Sequence, residues 1–154
     1  MHWLELKIKP PIVAIITVVL MFVLDHFLSS ERLGLGPLRW SIVLSFIMVG
    51  LMLAITGVKL FFKSETTIHP DLKHATNKLV TTGIYRFSRN PMYLGILLNL
   101  IAIAVWMNNW LSIGVCIGFV LYITQFQIKP EERFLHNKFG QEYQDYCRKV
   151  RRWL

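Results

Sequence analysis

Residues 91–127 read PMYLGILLNLIAIAVWMNNWLSIGVCIGFVLYITQFQ, and the fold turns on them. The run is apolar almost throughout, yet far longer than the roughly 20 residues that one membrane-crossing helix takes. Asn108-Asn109 interrupts it near the middle. The stretch therefore reads as a helical hairpin over about 92–128, with one arm at 92–107 and a second at about 110–128. The first arm is short, roughly 24 Å at about 1.5 Å per residue. Pro91 suits the first turn of that arm, where its missing N–H is no loss.

Working outward from the hairpin, two further apolar runs lie upstream. One covers about 12–28, opened by Pro10-Pro11 and closed by Ser29-Ser30-Glu31-Arg32; the other covers about 38–62, long enough to span with some tilt. The expectation is an all-α integral membrane protein with four transmembrane helices and a cytoplasmic, amphipathic C-terminal helix within 130–154. Length favours a single domain over 1–154. Composition agrees: of 154 residues, 54% are hydrophobic and 17% charged, with a mean hydropathy of +0.46. Soluble domains lie nearer about 45–50% and about 25%. A disordered chain is excluded, and a soluble dinucleotide-binding domain is disfavoured. No small-residue cleavage pattern follows Leu24, so the first helix is expected to stay on the protein rather than act as a signal peptide.

The net charge of +8 fits nucleic acid or an anionic membrane surface equally well until its placement is read. Lys7 and Lys9 precede the first helix. Lys63, Lys73, Lys78, Arg86 and Arg89 lie between the second and third, and Lys129, Arg133, Lys138, Arg148, Lys149, Arg151 and Arg152 follow the fourth. The opposite loops hold Arg32 and Arg39 beside Asp25 and Glu31. Basic residues concentrate on the cytoplasmic side, so both termini and the long middle loop are expected there. The charge then reflects topology and attraction to membrane lipids, not nucleic-acid binding.

Polar chemistry gathers in two stretches that the hairpin returns to one face, the loop 63–90 and the tail from Lys129 onward. The loop ends in Arg86 and Arg89. Next to Pro91, the free N–H groups of Met92 and Tyr93 form a site suited to an anion, and Arg89 adds a planar pair of donors for a carboxylate. The competing reading makes both arginines membrane-surface anchors. In Lys129-Pro130-Glu131-Glu132, acidic residues after a proline suit a helix start; they also form a carboxylate pair able to hold a diol or face a cation. Phe134, Leu135, Tyr143, Tyr146, Cys147 and Val150 read mostly as a packing stripe. Gly114-x-x-x-Gly118 reads as a close helix contact within the chain. Asp25-His26 reads as a rim pair, and Lys59 as a residue snorkelling to the membrane surface. His69, His74, Cys116 and Cys147 lack the spacing of a metal site, and no nucleotide-loop or nucleophile-elbow motif occurs.

Taken together, Gly83-Ile84-Tyr85-Arg86, Arg89-Asn90-Pro91-Met92-Tyr93-Leu94-Gly95, the hairpin, Glu131-Glu132 and the Phe139-to-Tyr146 segment resemble the isoprenylcysteine carboxyl methyltransferase family, with related phospholipid methyltransferases. The resemblance covers about residues 60–154. It implies an S-adenosylmethionine-dependent methyltransferase whose cofactor pocket faces the cytoplasm, formed by Leu79, Val80, Gly83, Tyr85, Asn90, Pro91, Met92, Tyr93, Leu94, Glu131 and Glu132. Arg89 and Glu132 match the positions nearest the reaction, and no metal is implied. The implied acceptor is a lipophilic small molecule or lipid entering from the bilayer, best a carboxylate of the isoprenylcysteine type. A phospholipid amine or a thiol is the alternative acceptor, and an NADPH-dependent membrane reductase or a non-enzymatic scaffold the alternative class. Three positions depart from the family pattern: Asn90 replaces a histidine, Ile84 a proline and Leu100 a tryptophan.

Overall fold

Pro10 and Pro11 open the first helix, α1 (Pro10–Phe27), and Lys9 before them is extended. The computed structural model describes residues 4–28, 31–63 and 78–154, with the backbone alone at 61–63. Then follow α2 (Leu38–Lys63), a 3-10 turn (Gly83–Arg86), α3 (Pro91–Met107), α4 (Trp110–Ile123), a π turn (Thr124–Ile128), α5 (Lys129–Phe139) and α6 (Gln141–Lys149). Among the described residues the architecture is all-helical. Three helical segments are long and apolar enough to cross a membrane, Pro10–Phe27, Leu38–Leu60 and Trp110–Phe139, and Pro91–Met107 is a shorter apolar helix. His69, His74, Lys73 and most of the long loop fall outside the described residues.

The burial pattern shows how these helices divide their surfaces. In α1, Val13, Thr17 and Met21 are buried four residues apart, a single stripe at helical spacing. Most of its other apolar side chains, Ile15, Ile16 and Val19 among them, stay exposed, as a bilayer-facing surface would. The buried Thr17 hydroxyl donates to the Val13 carbonyl at 2.8 Å, so no polar group is stranded. In α4 the inward stripe is Ser112, Cys116, Phe119 and Ile123. α3 is the central helix, packed against α2 on one side and against α4 and α1 on the other. Leu100, Ala102 and Ala104 are almost wholly enclosed.

The close helix approach is not where the sequence suggested. A Cβ added at Gly114 or Gly118 meets nothing within 4 Å, because both face away from the bundle. The tight contact lies between α2 and α3. A Cβ at Gly95 would sit 2.6 Å from the Gly50 carbonyl oxygen, and one at Gly50 would sit 2.9 Å from the Gly95 carbonyl oxygen. Those two glycines let the backbones touch.

Asn108-Asn109 turns the hairpin as expected. Asn108 takes a left-handed φ of 58° at the end of α3, and the Asn109 side chain caps α4 by accepting from the Leu111 N–H. Asn109 also donates to Asp25, and Arg32 donates to the Met107 carbonyl at 3.1 Å. Asp25 is therefore more than a rim residue: with Arg32 and Asn109 it ties α1, the 31–37 loop and the hairpin tip together.

Pro130 does not start a new helix after a break. α4, the π turn and α5 run on as one 30-residue helix, Trp110–Phe139. A proline inside a helix removes one N–H and crowds the carbonyl four residues back. That carbonyl belongs to Phe126, and here it accepts the Leu6 N–H at 3.0 Å. The Gln127 side chain returns a second bond to the Ile8 carbonyl at 2.7 Å. The N-terminal segment thus takes up the carbonyl that the proline displaces, and the Gln127 side chain holds that segment in place.

Candidate functional site

The hairpin returns the end of the long loop beside the start of α5, and the chain closes around both. Gly83, at φ 63°, turns the backbone into the 3-10 segment with Leu60 of α2 in the space a Cβ would need. Tyr85 is thereby buried, and its carbonyl accepts from the Tyr146 hydroxyl at 2.7 Å. After α6, Val150 is extended and the chain doubles back. The Arg89 N–H donates to the Arg151 carbonyl at 3.0 Å, and Asn90 Nδ2 donates to the Arg152 carbonyl at 2.9 Å. Trp153 Nε1 donates to Thr124 Oγ1 at 3.2 Å, anchoring this return segment on the π turn.

The result is a cleft of about 490 Å³, its open mouth included, with an apolar side of Leu79, Val80 and Leu135. The aromatic lining is Tyr85, Tyr143 and Tyr146, and the charged lining is Lys78, Arg89, Glu131 and Glu132, with Asn90 between. Glu131 Oε1 accepts from the Tyr93 hydroxyl at 2.6 Å. Glu132 is held by two cations. Arg89 Nη1 lies 3.2 Å from Oε1, while Arg152 grips both oxygens at 3.0 and 2.7 Å. Arg89 Nη1 also lies against Cys147 Sγ. The buried Nε of Arg89 has no partner among the described residues.

Burial raises the phenols of Tyr85 and Tyr143 well above the ordinary range, and pushes Tyr146 up to about 12 against the opposing pull of Arg89. All three remain neutral hydrogen-bond donors at physiological pH. The Glu132 fork raises the Arg152 guanidinium still further. Burial also raises the Glu131 carboxyl, to about 7, against the pull of the Tyr93 hydrogen bond. What the cleft offers, then, is a pair of arginines on Glu132, a carboxyl that titrates near neutrality and an apolar side, suited to holding a charged, amphipathic molecule.

Of the residues singled out in the sequence, Leu79, Val80, Tyr85, Arg89, Asn90, Glu131 and Glu132 line this cleft. Tyr93 reaches it through Glu131. Pro91 and Leu94 are buried in packing, and Met92 lies over Gly57 of α2; Gly83 shapes the turn. Sequence reasoning missed Lys78, Leu135, Tyr143, Tyr146, Cys147 and Arg152 as site residues. Tyr143 and Tyr146 were visible as an apolar stripe, and they do pack with Val150. Nothing in the tail's spacing singles out Arg152 from its basic neighbours.

A model of the phospholipid methyltransferase family matches residues 38–142. An uncharacterized protein of Haemophilus influenzae is 55% identical over 64 residues, 41% of this chain and all of that protein. A probable protein-S-isoprenylcysteine O-methyltransferase of Oryza sativa is 36% identical over 101 residues, 64% of this chain and 50% of the rice protein. The protein-S-isoprenylcysteine O-methyltransferase of Saccharomyces cerevisiae is 35% identical over 78 residues, 51% of this chain and 33% of the yeast protein. The chain thus matches half or less of the length of these named methyltransferases.

Proposed function

Because the chain belongs to the phospholipid methyltransferase family, we propose that it is a single-domain membrane methyltransferase using S-adenosylmethionine. In this reading α1, α2, α3 and the α4 portion of the long helix cross the bilayer. The cleft, both termini and the amphipathic α5–α6 region face the cytoplasm, as the distribution of Lys and Arg favours.

The observation that carries the reading is the meeting of Arg89, Glu131 and Glu132 in one cleft with an apolar side. These residues fit the proposed cofactor. Leu79, Val80 and Leu135 suit an adenine face, and Glu131 suits a ribose diol. Glu131 in its carboxylate form favours a sulfonium charge, and the unpartnered Nε of Arg89 suits an anionic group. When bound, the cofactor supplies an electrophilic methyl group. The chain's residues then have to align the acceptor and exclude water. Arg89 orients the acceptor; Glu132 fixes Arg89.

The acceptor is a lipophilic carboxylate, of the kind that the rice and yeast relatives' names describe, reaching the cleft from the bilayer. A carboxylate is nucleophilic at neutral pH and needs no general base. An amine would have to lose a proton before it could attack. The family's histidine is Asn90 here, and its Nδ2 holds the Arg152 carbonyl, a task that asks for a donor and not for a charge.

Calorimetric titration of the detergent-purified protein with S-adenosylhomocysteine, beside NADPH, tests the proposal. Binding of the first and not the second is expected. Glu132→Ala should weaken that binding by about tenfold or more, the loss of a charge-assisted bond. Silence toward S-adenosylhomocysteine sinks the reading; a response to NADPH alone favours a reductase.

A further inference from the structure

Glu132 stands between two guanidiniums of unequal grip. Arg152 makes the fork, Nε to Oε1 and Nη2 to Oε2, whereas Arg89 reaches Oε1 through Nη1 alone. Two parallel charge-assisted bonds fix a carboxylate's orientation more firmly than one. Arg152 lies beyond the residues that the family model matches. It reaches Glu132 because the chain reverses after α6 and is pinned by Arg89 N–H, Asn90 Nδ2 and Thr124 Oγ1. Arg89 meanwhile divides its Nη1 between Glu132 and Cys147.

We propose that Arg152 is a positioning residue: by engaging both oxygens of Glu132, it keeps Arg89 from closing onto that carboxylate and leaves its guanidinium turned to the cleft. Without Arg152, Glu132 has Arg89 as its cationic partner and draws it into a bidentate pair. The guanidinium then leaves Cys147 and the place where an acceptor carboxylate would lie. Lysine cannot stand in for Arg152, since a point charge makes no fork. The consequence for turnover rests on the methyltransferase reading; the positioning does not.

Phenylglyoxal, which reacts with accessible guanidiniums, reads Arg89 directly, with no cofactor or acceptor present. Its addition to Arg89 is followed by peptide mass spectrometry in detergent at fixed pH. Arg152→Lys, which keeps the positive charge and loses the fork, is expected to slow it by about threefold or more, and adding Glu132→Gln, which removes the pull on Arg89, to restore the rate. An unchanged rate in Arg152→Lys overturns the proposal, because Arg89 has not moved. A faster rate overturns it too, since the return segment has then merely opened. A double variant that stays slow does the same. If the unsubstituted protein ignores S-adenosylhomocysteine while the variants show the slow-then-restored pattern, the methyltransferase reading fails and the role of Arg152 stands.

Discussion

Asn90 illustrates how a single side chain can keep a position while changing its chemistry. It neither caps α3 nor titrates; it donates to the Arg152 carbonyl and so clips the return segment to the start of α3. Asn90→Ala should loosen that clip and weaken S-adenosylhomocysteine binding by up to about tenfold, near the worth of one buried hydrogen bond. Tyr93→Phe removes the donor to Glu131 without changing the apolar bulk. Several-fold weaker binding with an unchanged unfolding midpoint is the expected result; full affinity would detach Glu131 from the cofactor. Arg89 and Glu132 were legible in the sequence because their neighbours form a spaced motif around a hairpin. Arg152 was not. A basic residue in a basic tail looks the same whether it faces headgroups or a carboxylate, and only the reversal after Lys149 tells the two apart.

Among the elements, the hairpin was the most legible, since hydrophobic length and a paired-asparagine interruption leave few alternatives. Helix contact was not, because a small-residue spacing says where backbones can approach and not where they do. Gly95→Ala should cost about 1–3 kcal/mol, the range for overpacking a filled site, because the Cβ meets the Gly50 carbonyl and the Ala54 N–H. Gly114→Ala, inside a helix with open space around it, should be neutral or stabilise by up to about 1 kcal/mol. Thermal unfolding in detergent compares them, and equal losses would contradict this packing. The π turn shows a second limit on local reading. Pro130 suggests a boundary by its own chemistry, but the Phe126 carbonyl that it displaces finds the Leu6 N–H, more than a hundred residues earlier in the chain. A continuous helix becomes tolerable only once that distant partner is in place.

At the scale of the molecule, charge placement predicts an orientation in the membrane. Single cysteines at Pro37 and Glu142, in a cysteine-free background, should differ toward a membrane-impermeant maleimide applied to intact cells. Position 37 is expected to label and position 142 to label only after lysis. The opposite pattern would invert the proposed topology. The knot of Asp25, Arg32 and Asn109 bears on the same picture. It fastens the bundle at the end opposite the cleft, as a rivet fastens the blades of a pair of tongs. A small angular change between fastened helices moves their riveted ends least, so the bonds at the other end, from Leu6, Asn90 and Trp153, are what hold the cleft's width. Over about 25 Å of α3, a tilt of about 5° would open roughly 2 Å at the far end, and that is the displacement those bonds resist around Arg89 and Glu132.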